Sequence, residues 1–439
     1  MENATKGLED VVVAIDIGTT KVCAIAGRKN EYDKIEIVGV GTVVSEGVSR
    51  GVVSNIDKTV KAIQEAIDIA EKNSGMTFTN IHVGIAGQHI KSLHHRGLLV
   101  RSDVNTEISE DDVDKLVNDM YRLVLPPGDK ILHVIPQEFS VDDEQNIMDP
   151  IGMSGVRLEA NFHIITGQIS ASKNILRCVE KCGLDVVDMT LEPIASSSAV
   201  LSDEEKMAGV ALVDIGGGTT DITIFKDGII RHTAVIPFGG NVITKDIQEG
   251  CTVMHEQAEK LKVKFGSALA DEIYDNRIIT IPGFKGREHK ELSEKNLARI
   301  IQARMEEIFS YVYWEIKRSG FEKKLIAGLV LTGGGSLLKH VNLLAEYETG
   351  LACRKGQPIE HLAHGYSSAL ASPIYATGIG LLIHAINNEE MKKEVQEALG
   401  NPEDWQGTMP TDDLSANRWY KKIFTYTKEF FEAIPDTDF

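Results

Sequence analysis

A loop led by aspartate and built from Gly and Thr occurs twice in this chain, each time between an apolar run and a run of alternating β-branched residues. The first copy is Asp16-Ile17-Gly18-Thr19-Thr20-Lys21, and the second reads as an expanded form, Asp214-Ile215-Gly216-Gly217-Gly218-Thr219-Thr220-Asp221. Glycine lets such a backbone turn sharply and approach a ligand closely, while Thr hydroxyls and successive N–H groups offer donors to phosphate oxygens. The flanks recur as well. Val11 to Ile17, Val22 to Gly27 and Ile35 to Val44 read as three strands, and Ala208 to Ile215, Thr219 to Phe225 and Ile229 to Ile236 repeat that order. Val- and Ile-rich runs bounded by Gly-rich turns are what buried central strands look like. The expectation is an internal duplication, with a cleft between the halves in which two facing hairpins grip one nucleotide.

The leading Asp residues have an electrostatic rationale. At the carboxyl end of a strand, Asp16 and Asp214 are placed to hold a hydrated Mg²⁺ bridging two phosphates, because Mg²⁺ takes oxygen ligands and keeps several waters. One such loop alone is equally an ordinary Gly-rich hairpin; two in the same strand-turn-strand context argue for the site. No G-x-x-x-x-G-K-[ST] loop is present, and no G-x-G-x-x-G opens a helix after a strand. A third cluster, Thr332-Gly333-Gly334-Gly335-Ser336, again follows an apolar run, and a helix is expected to start near Ser336. Its free N–H groups suit an anion or a ribose, although by itself the cluster is equally a helix-capping turn. Glu259 and Lys262 fall three apart on one face of an amphipathic helix, where a solvated ion pair is the plainer reading.

Taken together, these residues resemble the five-part ATPase signature of the actin, Hsp70 and sugar-kinase superfamily. The loops at Asp16 and Asp214 match its two phosphate elements, Gly333 to Gly335 its adenosine element, and Glu192-Pro193 to Val200 and Ala376 to Leu382 its two connecting helices. Within the superfamily, Gly51-Val52-Val53 and Gly84 to Ile90 are similar to the FtsA family of bacterial cell-division proteins, whose small extra subdomain starts there. The resemblance implies an α/β, actin-like ATPase fold: two duplicated RNase H-like halves around a nucleotide cleft, small inserted subdomains and a C-terminal amphipathic helix. It implies a first half at 1–84 and 166–200 with an insert at 85–165. The second half is expected at 201–236 and 310–388, with an insert at 237–309. In the first insert, Ser109 is expected to cap a helix starting with Glu110, Asp111 and Asp112, beside strands near Ile131 to Phe139 and Phe162 to Ile165.

The carboxyl end changes character twice. Residues 389–416 are polar, with Pro402, Gly407 and Pro410, and read as a flexible linker. In residues 417–434, Trp419, Tyr420, Ile423, Phe424, Phe430 and Phe431 follow helical spacing on one face, and Arg418, Lys421, Lys422 and Lys428 line the other. A helix this short and polar does not span a bilayer but suits one lying in its interface. A helix docked on the protein's own core is the alternative; the linker argues for another surface. A net charge of −19 makes this locally basic segment more telling and disfavours nucleic acid as a partner. No apolar run nears 20 residues, no secretory signal is read before Val11, and the five cysteines, with Cys178 and Cys182 at helical spacing, suggest a reducing compartment.

By resemblance, the cofactors are ATP and Mg²⁺. Asp16 and Asp214 position the metal; Gly18, Thr19, Thr20 and Lys21 hold phosphates together with Gly216, Gly217, Gly218, Thr219 and Thr220. Gly334, Gly335 and Ser336 face the adenosine, and Glu259 and Lys262 its sugar or base. Glu192, in a Glu-Pro pair similar to that of Hsp70, and Asp214 are the catalytic candidates; a structural carboxylate at 192 is the alternative, with at most weak ATPase activity. The family implies a peripheral protein on the inner face of the cytoplasmic membrane that self-associates into filaments, binds the carboxyl-terminal peptide of the tubulin-like FtsZ through the second insert, and recruits other division proteins. A pilus-assembly relative that binds a membrane partner's peptide, and a soluble actin-like ATPase or kinase, are the alternatives. In the second insert, Leu297, Ile300, Ile301, Met305 and Ile308 form a helical stripe that reads as core rather than docking surface.

Overall fold

The computed structural model describes residues 11–102, 106–283, 288–363, 365 and 368–399. Residues 417–434, expected from the sequence to form an interfacial helix, lie outside them.

The first half begins with β1 (Val12–Ile17), β2 (Lys21–Lys29) and β3 (Ile35–Val44), followed by the short pair β4 (Val48–Ser49) and β5 (Val52–Val53). Helix α1 (Ile56–Ser74) is capped by the Asn55 side chain and stopped by Gly75 at φ 71°, a left-handed position that costs glycine little. Strand β6 (Asn80–Ile85) leads into an inserted unit of β7 (Lys91–Val100), α2 (Glu110–Tyr121), β8 (Asp129–Val141), β9 (Glu144–Ile147) and β10 (Arg157–Gln168). Helix α3 (Ile169–Glu180), β11 (Asp185–Leu191) and α4 (Glu192–Val200) then return to the first half, and α5 (Asp203–Ala208) links to the second. That half comprises β12 (Val210–Ile215), β13 (Thr220–Lys226), β14 (Ile229–Ile236), α6 (Gly240–Cys251), α7 (His255–Phe265), β15 (Ile278–Ile281), β16 (Lys290–Ser293) and α8 (Glu294–Ser319), then β17 (Leu329–Thr332), α9 (Val341–Thr349), β18 (Cys353–Lys355) and α10 (Ala376–Leu399).

The two large sheets share one plan. The first runs β3-β2-β1-β6-β11 and the second β14-β13-β12-β17-β18. In each, the leading three strands are antiparallel and the last two join in parallel. Parallel strands need crossover helices and are covered on both faces, which is why β1 and β12 are almost wholly buried apolar runs. The cores are correspondingly double. One gathers Ile15, Ile25, Ile63 and Ile81 with Ile379 and Leu382 of α10; the other gathers Val213, Ile222, Ile247 and Leu331. Leu297, Ile301, Met305 and Ile308 of α8 are fully buried in the second core and Ile300 is half-buried against it, so the stripe is core as expected.

The inserted unit is a four-stranded antiparallel sheet, β7-β10-β8-β9, with α2 packed on it through Leu116 and Met120 beside Phe162. It also bonds to the far half: Ser92 Oγ donates to Thr233 O at 2.9 Å, and Gln137 Nε2 to Ile230 O at 2.9 Å. His163 lies 3.1 Å from Thr233 Oγ1 and between the rings of His94 and His232.

Two expectations shift. A 3₁₀ turn (Gly334–Leu337) replaces the helix expected from Ser336, and α9 starts at Val341. The intervening backbone is held in a different pairing, with Ala268 N donating to Lys339 O at 2.8 Å. Residues 389–399, read as linker, instead extend α10, since this stretch is rich in Glu and Lys and holds no glycine or proline. Among the described residues no helix is long and apolar enough to cross a membrane, and the five cysteines are free. Burial pushes the Cys178 thiol up to about 11, which leaves it inert.

Candidate functional site

The two Asp-led loops are tight hairpin turns of equal length. Gly18 N donates to Lys21 O at 2.9 Å, and Gly216 N to Thr219 O at 3.0 Å. Ile17 pairs with Val22 just as Ile215 pairs with Thr220. The second loop is therefore not expanded: Gly217-Gly218 stand where the first turn has Thr19-Thr20, and Thr219 stands where it has Lys21. The turns meet tip to tip. A Cβ on Gly217 would lie 2.3 Å from Thr20 Cγ2, and one on Gly218 2.6 Å from Thr19 Oγ1. Threonines on one tip thus require glycines on the other.

Beneath the tips lies a cavity of about 400 Å³. Asp16, Gly18, Thr19, Thr20 and Lys21 line it from one side, and Asp214 and Gly216 to Thr219 from the other. Glu192, Glu259, Lys262, Gly334 and Gly335 complete the ring, so one cavity brings together every candidate except two. Thr220 and Ser336 are fully buried and turned away. Thr220 Oγ1 donates to Phe238 O at 3.0 Å, and Ser336 Oγ closes its own turn by donating to Gly333 O at 2.7 Å. Glu259 and Lys262 do pair, at 2.8 Å, and Lys262 Nζ also donates to Gly240 O at 3.0 Å, fastening α7 to the start of α6.

Charge is concentrated at the centre. Lys21 is bonded to Asp16; burial opposes its charge, but Asp16 outweighs burial and holds the ammonium above its ordinary range. Burial first, then the Asp16 charge, pushes Asp214 up to about 6, and burial with the Asp214 charge pushes Asp221 up to about 7. Glu192 is driven well above the carboxylate range by burial and by Asp16, Asp221 and Asp214. The five acids lining the cavity, Asp16, Glu192, Asp214, Asp221 and Glu259, outnumber its three lysines, Lys21, Lys262 and Lys339, so it is short of positive charge. Among the described residues no group of three or more His, Cys, Asp or Glu side chains is arranged to hold a metal. A cation here is limited to one or two carboxylates plus oxygens from phosphate and water, the donor set Mg²⁺ prefers, so the residues fit that ion.

The sequence reading assigned no part to Asp221, Asn241, Lys339 or Thr377, all of which line the cavity, nor to Ser196 just behind it. Asp221 had a signal: in a four-residue hairpin it sits directly across from Asp214. Ser196 and Thr377 had none, being small hydroxyls on helices that only the fold brings together.

Comparison with known proteins agrees with this geometry. The family model described as "Cell division protein FtsA" matches residues 211–380, and that described as "SHS2 domain inserted in FTSA" matches residues 87–166. The chain is 40% identical over 379 residues to the Cell division protein FtsA of Pseudomonas aeruginosa, covering 86% of this chain and 90% of the relative. It is 42% identical to that of Neisseria meningitidis over 84% and 89%, and 34% identical to that of Escherichia coli K12 over 94% and 98%. Among solved structures, a PilM-PilN type IV pilus biogenesis complex superposes with TM-score 0.61 at 14% identity, over 85% of this chain and 98% of that one. MreB5 of Spiroplasma citri bound to ADP superposes with TM-score 0.52 at 14% identity, over 88% and 98%. At that identity the likeness shows the actin-like fold alone; the sequence matches carry further, and this chain belongs to the FtsA family of actin-like cell-division proteins.

Proposed function

We propose that the chain binds ATP with Mg²⁺ in the cleft, self-associates into filaments in that state, and holds the FtsZ ring to the inner face of the cytoplasmic membrane through residues 417–434. The observation carrying this reading is the pair of hairpin turns meeting over a cavity of about 400 Å³, lined by five acids and three lysines with Lys21 at the first turn, in a chain of the FtsA family. Lys21, already ionised and held by Asp16, presents its charge to phosphate oxygens, while the N–H groups of both turns supply donors. Asp16 and Asp214 orient the cation, which when bound screens phosphate charge. Glu259 and Lys262 meet the sugar or base, beside Gly334 and Gly335. Burial and then the neighbouring acids disfavour the charged form of Glu192, which remains the candidate for orienting a water in a protein that uses ATP chiefly to control assembly.

Residues 237–309 would carry the FtsZ peptide site, and the chain would recruit other division proteins, as family membership suggests. A single interfacial helix binds membrane reversibly, so many anchors on one filament would supply lasting attachment. The pilus-type reading rests only on a fold likeness at 14% identity and is the weaker one.

The test is co-sedimentation with anionic liposomes, comparing the full chain, a chain ending at Ala416, and a Trp419→Glu/Phe430→Glu chain, each with and without MgATP. Sedimentation of the full chain alone, increased by MgATP, is expected. Equal behaviour of all three would overturn the anchoring role and leave an actin-like ATPase with another partner.

A further inference from the structure

The Asp214 carboxylate is the meeting point of four elements. It ends β12; Ser196 Oγ on α4 donates to its Oδ2 at 3.0 Å, and Thr377 Oγ1 on α10 lies 3.4 Å from the same oxygen. Ser196 and Thr377 are themselves 3.0 Å apart and buried. The other oxygen, Oδ1, packs on the backbone of the third glycine loop, where a Cβ on Gly333 would lie 2.2 Å away. Thr377 has one hydroxyl proton, so the short path runs from Thr377 to Ser196 to Asp214.

Helices α4 and α10 cross between the halves with almost nothing between them. A Cβ on Gly380 would lie 1.9 Å from Ala195 O, so their backbones touch one residue from Ser196 and three from Thr377. A crossing this close has no slack. Any rotation of one half against the other has to act on this crossing, and the hydroxyl pair sits beside it with its bonds on a cavity-facing carboxylate.

We propose that Ser196 and Thr377 are positioning residues that lock the Asp214 carboxylate to the helix crossing, coupling cation-assisted nucleotide binding to the relative rotation of the two halves. The inference rests on the reading of the cleft as an MgATP site. Neither residue needs to touch the ligand. Each acts through Asp214: closing the crossing aims the carboxylate, and an aimed carboxylate resists reopening. Hydrogen bonds to an ionised group are worth enough to hold such an arrangement.

The experiment compares ATP affinity of the full chain in Mg²⁺ and in EDTA by calorimetry, with amide hydrogen exchange of residues 192–200 and 376–386 followed in parallel. Wild type should gain affinity from Mg²⁺ and show slowed exchange at both helices. Ser196→Ala/Thr377→Val should lose about tenfold or more of the Mg²⁺ gain, the size expected for bonds to a charged group. Its affinity in EDTA should fall far less than its affinity in Mg²⁺, as both hydroxyls are engaged with Asp214 and with each other. Ser196→Thr and Thr377→Ser, which keep the hydroxyls and stay close in volume, should restore the gain and the protection. A double variant that keeps the full Mg²⁺ gain, or that loses affinity equally in Mg²⁺ and EDTA, overturns the coupling, as does failure of the conservative pair to retain it. Wild type binding ATP equally in both media, or not at all, would sink the MgATP reading itself and this inference with it.

Discussion

The two hairpin turns at Asp16 and Asp214 have one backbone and opposite chemistry. The first carries Thr19, Thr20 and a cation, Lys21; the second carries Gly217, Gly218 and Thr219 at the same places. Across the hairpin from the leading acid stands Cys23 in the first half and a second acid, Asp221, in the other. Asp16 is neutralised within its own turn by Lys21, whereas Asp214 is fixed by hydroxyls borrowed from two helices. A duplicated element facing its copy must diverge, because two bulky tips collide and two equal charges repel.

The largest effect should come from filling the bare tip. Gly217→Val is expected to lower nucleotide affinity about 100-fold, on the order of 3 kcal/mol of overpacking, and Thr20→Gly in the same chain should recover most of it. Lack of recovery in calorimetry would mean that the tips do not exclude one another.

Next in size is the charge difference. Lys21→Ala leaves Asp16 buried without its partner and should cost about 2 kcal/mol in urea unfolding, against about 1 kcal/mol for Thr219→Ala at the matching place. Equal losses would erase the asymmetry.

A smaller effect is one of pH. The folded form keeps Asp221 protonated up to about 7, against 3.8 ordinarily, so its contribution to stability is complete below pH 3.8 and is lost as pH rises through 7. Cys23 in the matching register is raised from 9.0, stays neutral through that window and adds no such slope. Asp221→Asn should flatten the decline and stabilise nucleotide-free protein at pH 8 by about 2 kcal/mol in urea titrations; an unchanged slope would place the charge elsewhere.

The smallest effect belongs to the side chains turned away from the cavity. Thr220→Val and Ser336→Ala should each cost about 1 kcal/mol of stability and leave nucleotide affinity within about twofold, since each loses one internal hydrogen bond. A tenfold loss of affinity would return them to the binding surface.

Those two residues mark where the sequence stops being legible. Runs of Val and Ile bounded by glycines identified β1, β2, β12 and β13, because burial on both faces leaves little else to put there. The motif also located the cavity. It did not show which Thr of a Thr-Thr pair faces inward, since alternation along β13 depends on the hairpin register, and the apparent expansion of the second loop hid that register. Ser336 misled for a related reason: Gly333 at φ 76° starts a 3₁₀ turn that consumes the Ser hydroxyl internally. The links between the inserted unit and β14 join residues 70 to 141 positions apart in the chain, with no local pattern to announce them.

Helix α10 also sets a timetable for synthesis. Ile379 and Leu382 complete the apolar cluster begun by Ile15 and Ile25, so the first sheet keeps an open greasy face until nearly the whole chain has left the ribosome. At ~5–20 residues per second that is a wait of roughly 20–70 s, long enough for a nascent strand edge to find wrong partners. The inserted unit is continuous in sequence and has its own core, so it is able to fold during that wait, and the second half before α10 arrives. The half that begins the chain is the last to close, and its quality control therefore lies at the far end of the message.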